Sequence, residues 1–461
     1  VTGVQTCALP IYEVVNVSWQ LAASKLFTFS GTIAAIEDGN PIKYAFVRIN
    51  GTPLEIGRAN SQGVFSIQGI PQGTYSVSVS GEGIKPQILS VVVHDNLDLT
   101  IEAEAMELEA SDGWNTANNN IHRNAVTNQV IAADKLKKNW YYESSGLIQF
   151  ASPAVAEGMV VVPTDHGSLV AIDVDSGEKM WERTTGITNR CSPTIANGIV
   201  YVGGGSDWRV YAIDLQTGLE IWQYRAGSAP VYESPLYHNG VLYLSAAWDR
   251  NAKVTALDAA TGELLWESVV GDGTVFGASI GEDKLFVGTL NGRTLKALSL
   301  TDGSEIWSLS YQDQGFAARP VYHDGILYAV STDLRDGTLW AIDAATGNVL
   351  WTVDDIGDTQ AVSPIVFDDM VIVGSARIAG LRAFDISTGQ QVWFGRGVST
   401  MLNNGAVTAN GILFVADAFN MLQAVDVYSG QVLHRYELND ISSSGVAIID
   451  GQVIVADING I

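Results

Sequence analysis

Ala171-Ile172-Asp173-Val174-Asp175-Ser176-Gly177-Glu178-Lys179-Met180-Trp181 decides the fold of this chain, because its skeleton recurs. Ala212-Ile213-Asp214 leads with the same spacing to Thr217-Gly218 and Trp222, and Ala341-Ile342-Asp343 leads to Thr346-Gly347 and Trp351. The tryptophans fall at 140, 181, 222, 266, 307, 351 and 393, with His434 in the eighth place, so the period is 41 to 44 residues. A unit of this length cannot bury its own faces and must stack on its neighbours.

Each complete unit reads as four short strands. In the second they are expected at Ser192–Ala196, Ile199–Gly203, Val210–Asp214 and Glu220–Arg225. Asn197-Gly198, Asn239-Gly240, Asp324-Gly325, Asn410-Gly411 and Asp450-Gly451 supply tight hairpins that need positive φ. The recurring carboxylates Asp173, Asp214, Asp258, Asp343, Asp385 and Asp426 are expected to accept backbone N–H bonds in the turn before the fourth strand. Each following Trp is expected to bury its ring between adjacent blades and to give its N–H to a main-chain acceptor.

Four-stranded units arranged radially make a β-propeller. The repeats predict eight blades, the last incomplete, because Gly445 to Ile461 holds only two strands. The segment around Trp140 is expected to supply the outermost strand of that blade, leaving a gap where its third strand belongs. This propeller occupies residues 137–461.

Residues 27–105 have another rhythm. Short strand candidates at Phe27–Ile36, Ala45–Ile49, Gly63–Ile67, Thr74–Ser80 and Leu89–Val93 alternate with turns such as Asp38-Gly39 and Pro71-Gln72-Gly73. The alternation needs a second sheet to cover its apolar face, which predicts a seven-stranded β-sandwich. The whole chain is therefore expected to be all-β. Residues 106–136 read as a linker, with Trp114 expected to pack on the first blade. Residues 1–11 resemble translated sequencing-adapter read-through, and 12–26 read as a remnant of an upstream segment, so the chain is expected to be a fragment.

Composition limits the function. The chain carries 25 basic and 50 acidic residues, a net charge of −25. Nucleic acid and anionic membrane are disfavoured as partners, because a phosphate backbone is held by Lys and Arg in numbers absent here. No apolar run reaches the roughly twenty residues of a transmembrane helix. The two cysteines, Cys7 and Cys191, lie far apart without metal-ligand spacing. His238 and His323 sit at equivalent hairpin positions of two repeats, and Asp173-Val174-Asp175 lacks the remaining ligands of a calcium loop. No metal is expected, and no P-loop, nucleophile elbow or His-Glu-x-x-His helix occurs.

The Ala-Ile-Asp…Thr-Gly…Trp pattern resembles the pyrroloquinoline-quinone (PQQ) repeat family of β-propellers over residues 137–461. In that family, true dehydrogenases couple a disulfide between neighbouring cysteines to a calcium beside the quinone. Cys191 has no neighbouring cysteine, so no cofactor is expected. Ser30-Gly31, Gly39-Asn40-Pro41-Ile42, Gly63-Val64-Phe65-Ser66-Ile67 and Ile70-Pro71-Gln72-Gly73-Thr74-Tyr75 resemble a carboxypeptidase regulatory-like, transthyretin-like domain. That resemblance implies a spacer in secreted or surface proteins and no peptidase site.

Loops entering the innermost strands of a propeller converge on one mouth of the central channel. Aligning the repeats places Arg190, Tyr232, Glu233, Arg319, Asn403 and Asn404 there, and these are the candidate ligand-binding residues. The reading is a non-catalytic extracellular, cell-surface or periplasmic module that binds a protein or polysaccharide. The alternatives are an accessory region of a larger extracellular hydrolase (metallophosphoesterase or polysaccharide-active), a quinone-dependent dehydrogenase and an outer-membrane assembly scaffold.

Overall fold

The computed structural model describes the chain apart from residues 1–2, 9–13, 20–24, 37–38, 43–44, 50–51, 53, 55–56, 81–86, 105–113, 115, 186–190, 206, 227–230, 232, 247–248, 274, 334, 358–361, 375–379, 399–404 and 418. Two compact units divide it, Val1–Ala105 and Met106–Ile461.

The first unit holds a sandwich of seven strands in two sheets. One sheet orders Val64–Pro71, Leu26–Ala35 and Leu97–Ala103, and the other orders Gly57–Arg58, Phe46–Ile49, Gly73–Ser80 and Gln87–Val93. Leu26–Ala35 alternates buried and half-buried residues, sending Phe27, Phe29 and Ile33 into the core. Phe29 meets Phe65 edge to face at 5.0 Å between ring centres. Gly3–Ala8 and Val14–Trp19, in the stretch read as adapter-like and upstream remnant, pair as an antiparallel hairpin.

The second unit is a β-propeller. Among its described residues, seven repeats follow one another, six of them four-stranded sheets and the fifth five-stranded because both Gly315–Phe316 and Val321–His323 pair with Ile326–Thr332; the first is Ala154–Ala156, Met159–Pro163, Ser168–Asp173 and Lys179–Thr184. The second repeat is Thr194–Ala196, Ile199–Gly203, Arg209–Asp214 and Glu220–Arg225, within two residues of the bounds expected from sequence. A two-stranded sheet, Val446–Ile449 with Gln452–Val455, comes last. Second and third strands are almost continuously buried, as Met159–Pro163 and Ser168–Asp173 show, while the fourth strands alternate at the rim.

One contact repeats from sheet to sheet. Each indole N–H donates to the carbonyl of the residue that follows the third strand of the next repeat: Trp140 to Val174, Trp181 to Leu215, Trp222 to Ala259, Trp266 to Leu300, Trp307 to Ala344, Trp351 to Ile386 and Trp393 to Val427, at 2.8–3.1 Å. The rings lie on the Gly of that next turn. A Cβ added to Gly218, whose φ is +70°, would stand 2.7 Å from the Trp181 ring. Expectation and structure differ in depth: Trp222 alone of the seven is buried, and the others are half-buried because the fourth strand is each sheet's outer edge. His434 stands opposite Ala424, the register place of the missing eighth Trp, and its ring lies tilted against Tyr436 with 4.5 Å between ring centres.

The repeat Asp residues act as turn caps. Asp173 Oδ1 accepts from the backbone N–H groups of Asp175 and Ser176 and from the Ser176 hydroxyl, and Asp214, Asp258, Asp343 and Asp385 accept from Thr217, Thr261, Thr346 and Thr388 in the same way. Asp426 caps through the N–H of Tyr428 and the hydroxyl of Ser429.

Ends of this unit meet. Tyr142 and Ile461 exchange hydrogen bonds, N–H to carbonyl in both directions, at 2.9 and 3.0 Å. Trp140 stands against Gly177 as Trp181 stands against Gly218, so residues near 140 hold a fourth-strand place without being strand themselves.

Candidate functional site

A polar segment, Trp114 to Gln129, runs through the middle of the propeller. The Trp114 carbonyl accepts from Val155 N–H at 2.7 Å, and the Thr116 and Thr194 hydroxyls lie 2.8 Å apart. The Ile121 carbonyl accepts from Ile280 N–H, and that of His122 from Tyr322 N–H. Asn124 bonds Val366 through both its amide groups, Ala125 accepts from Val407 N–H, and Gln129 reaches Ala409 and Gly451. With Arg123 bonded to the Ser234 carbonyl, so short a segment touches all eight sheets, each at or beside its first strand. The first strands therefore converge on the axis, and this segment fills the space they enclose.

Arg123 is the centre of the plug. Its guanidinium is fully buried and donates to four oxygens: Nε to Ala278 O at 3.0 Å, Nη1 to Thr116 Oγ1 at 3.0 Å and Ala117 O at 2.8 Å, and Nη2 to Ser234 O at 3.1 Å. A planar fork suits this task, since it spreads one charge over several carbonyl dipoles. Burial, and then the nearby charge of Arg319, push its pKa down to about 9, with Glu233 opposing them; it stays protonated at neutral pH.

Above the plug stand two of the six sequence candidates. Arg319 Nη2 lies 2.9 Å from Glu233 Oε2, with side chains 13% and 14% exposed. The approach is close but poorly aligned: neither Glu233 Oε2 nor Arg319 Nε completes a hydrogen bond of good geometry. The contact is best described as an ion pair. It spans the start of the intervening sheet at Gly277, where a Cβ would come within 2.9 Å of Glu233 Oε2 and 3.0 Å of Arg319 Cγ. Arg190, Tyr232, Asn403 and Asn404 lie outside the described residues.

Cys191 belongs to the same cluster. It is wholly buried, its thiol donates to the Glu233 carbonyl at 3.1 Å, and its sulfur accepts from Gly203 N–H at 3.2 Å. Burial pushes the thiol up to about 12, so it is not a nucleophile at neutral pH. Small hydroxyls link neighbouring first strands nearby: Ser192 accepts from Ser152 N–H, Thr194 donates to Pro235 O, and Ser444 donates to Ala151 O.

A quinone bound on the axis, the cofactor that the repeat family implies, does not fit this set. Arg123 spends its donors on protein oxygens, Glu233 and Arg319 face each other, and Arg190 and Ser192 flank Cys191 where the dehydrogenases carry a second cysteine. Among the described residues, no three His, Cys, Asp or Glu side chains gather into a metal site. No helix among the described residues is long and apolar enough to cross a membrane.

These features define a β-propeller of PQQ-like repeats behind a carboxypeptidase regulatory-like domain, the latter matched at residues 28–105. Residues 111–247, 185–275 and 250–396 match the family described as outer membrane protein assembly factor BamB, more than half of the chain, and the chain belongs to that repeat family. It is 28% identical over 249 residues to the outer membrane protein assembly factor BamB of Yersinia pestis, covering 50% of this chain and 60% of that one. The chain thus spans less than two thirds of that relative's length. Among solved structures, the quinohemoprotein alcohol dehydrogenase from Comamonas testosteroni superposes with a TM-score of 0.66 at 15% identity, over 76% of this chain and 78% of that one. BamB from Moraxella catarrhalis gives 0.55 at 16% identity, over 69% and 95%. Identities this low establish the shared fold.

Proposed function

We propose that this chain is a non-catalytic binding scaffold of the bacterial envelope or exterior. In this reading the propeller presents loops to a protein or polysaccharide partner, and the sandwich serves as a spacer. The observation that carries it is the Arg123-centred plug, which commits the axial space of the propeller to the chain's own residues. The groups best suited to chemistry are committed as well, Glu233 to Arg319 and the buried Cys191 thiol to the Glu233 carbonyl and the Gly203 N–H. What remains for recognition is the mouth around the Glu233–Arg319 pair, with Arg190, Tyr232, Asn403 and Asn404 aligned there by the repeat.

A glycan and peptide array probed with the wild-type chain, and with a variant combining Arg190→Ala and Tyr232→Ala, tests this reading. Ligands retained by wild type are expected to be lost by the variant; equal retention places recognition elsewhere.

A second reading is favoured by the family match itself, an outer-membrane protein assembly role in the periplasm with a protein partner. Expression in a strain lacking its own assembly propeller separates the two. Restored outer-membrane protein levels support the assembly role, and unchanged levels count against it.

A further inference from the structure

The residue after each repeat Trp stands exposed on the outer strand, and in the first five repeats it is polar: Glu182, Gln223, Glu267, Ser308 and Thr352. The sixth repeat has Phe394 there, and the seventh has Arg435 after His434. Arg382 lies directly across from Phe394 on the neighbouring strand, so the two share a face. Its guanidinium carbon sits 5.2 Å from the centre of the Phe394 ring, and that of Arg396, from the turn ending the strand, sits 5.5 Å from the same centre. Gly380, at φ +130°, fixes the ring: a Cβ there would stand 2.5 Å from Phe394 Cε2. From the next repeat, Arg435 Nη2 donates to the Gly397 carbonyl of that turn at 2.9 Å.

These three arginines differ from other cations of the outer strands. Lys179, Arg183, Lys253, Lys284 and Lys296 each lie 2.6–3.0 Å from a carboxylate. Among the described residues, no carboxylate comes within ion-pair distance of Arg382, Arg396 or Arg435, on a chain that carries twice as many acidic as basic residues. Arg382 gives one N–H to the Asp355 carbonyl, while the Asp355 carboxyl bonds Asp336 and that of Asp354 accepts from Thr338. A guanidinium stacked on a ring keeps its N–H edge open for bidentate bonds to an oxyanion.

We propose that the outer rim of the sixth and seventh repeats is an anion-binding strip for a carboxylated polysaccharide, separate from the channel mouth. Both guanidinia already cover Phe394, so the strip offers planar charged forks rather than an apolar pocket. An acidic peptide anchors through side-chain pockets as well as charge; a polyuronate needs only repeated carboxylates and hydroxyls, which these forks and their exposed surroundings supply. The ring holds the two cations in place, so less side-chain freedom is lost on binding.

The probe is polygalacturonate, titrated into the whole chain at low ionic strength and followed by calorimetry. Saturable binding is expected, weakening as salt is added, with none to neutral dextran. Arg382→Gln/Arg396→Gln is expected to weaken it about tenfold or more with Tm unchanged, and Arg396→Gln alone, which removes no hydrogen bond, is expected to weaken it in part. Arg209→Gln/Arg225→Gln changes net charge equally on the second repeat and is expected to bind as wild type does. Absence of saturable binding overturns the proposal, as does equal loss in the two double variants, which assigns the effect to bulk charge. Poly-L-glutamate binding as tightly as polygalacturonate overturns the polysaccharide assignment. Loss of polygalacturonate binding in Arg190→Ala/Tyr232→Ala but not in Arg382→Gln/Arg396→Gln places the polymer at the mouth and overturns the strip while leaving the mouth reading intact.

Discussion

Glu233 and Arg319 meet at 2.9 Å although they come from the third and fifth repeats, and their side chains close over Gly277 of the fourth. A largely buried pair of this kind contributes little net stability when intact, yet removing one partner strands the other. Glu233→Ala leaves Arg319 facing the buried cation Arg123, and a loss of about 3–5 kcal/mol is expected from urea unfolding. The double variant Glu233→Leu/Arg319→Met is expected to recover most of that loss. A double variant as unstable as the sum of the singles contradicts the pairing.

The Trp contact between repeats separates ring packing from its hydrogen bond. Trp307 donates to the Ala344 carbonyl at 3.0 Å and packs on Gly347 and Phe286. Trp307→Phe keeps most of the ring contact and is expected to cost about 1 kcal/mol. Trp307→Ala removes the wedge and is expected to cost roughly 3–5 kcal/mol. Chemical denaturation distinguishes the two; equal losses place the energy in the hydrogen bond alone.

Acid stability follows from the turn caps. Hydroxyl and N–H donors from Ser176, Thr217 and Thr346 hold Asp173, Asp214 and Asp343 below the usual carboxylate range, and the Thr261 N–H and hydroxyl do so for Asp258. A carboxyl group whose pKa is lowered on folding stabilises the folded state fully above its unfolded pKa, near 4, and loses that contribution as pH falls through the lowered value. Tm is therefore expected to drop below about pH 4. Replacing all four by Asn should flatten that slope, and an unchanged slope assigns acid unfolding to other groups.

Cys191 offers a probe of the axial cluster. Its thiol, pushed up to about 12 by burial, is expected to resist a thiol reagent at pH 8 in a Cys7→Ser background and to react once the chain unfolds. Rapid labelling of the native chain argues that the cluster opens to solvent.

Much of this was legible in the chain because the repeat carries its own register. A Trp every 41–44 residues, with Asp and Gly at fixed distances before it, located the strands of the second repeat within two residues. The same alignment placed Glu233 just before the first strand of its repeat and Arg319 one step further along in its own, but their meeting needed the curvature of the ring. In the sandwich, Gly57–Arg58 is too short to show a period. Leu97–Ala103 pairs in parallel with Leu26–Ala35, and such a partner carries no local turn to announce it.

The plug was the part the sequence hid. Residues 114–129 have no strand or helix period, and their asparagines read as linker composition. Arg123 has no local partner of opposite charge in the sequence; what satisfies it is mostly carbonyl oxygen, from Ala117, Ser234 and Ala278, which no side-chain pattern encodes. A polar stretch entering a β-propeller as a single arginine among asparagines is a weak signal, and only the closed ring gives it meaning.

The most direct measurement is a titration of the purified chain with pyrroloquinoline quinone and calcium, followed by tryptophan quenching and alcohol-dependent dye reduction. An axis already filled by Arg123 and its neighbours predicts no saturable quenching and no reduction of dye. Stoichiometric quinone binding accompanied by dye reduction would contradict the scaffold account.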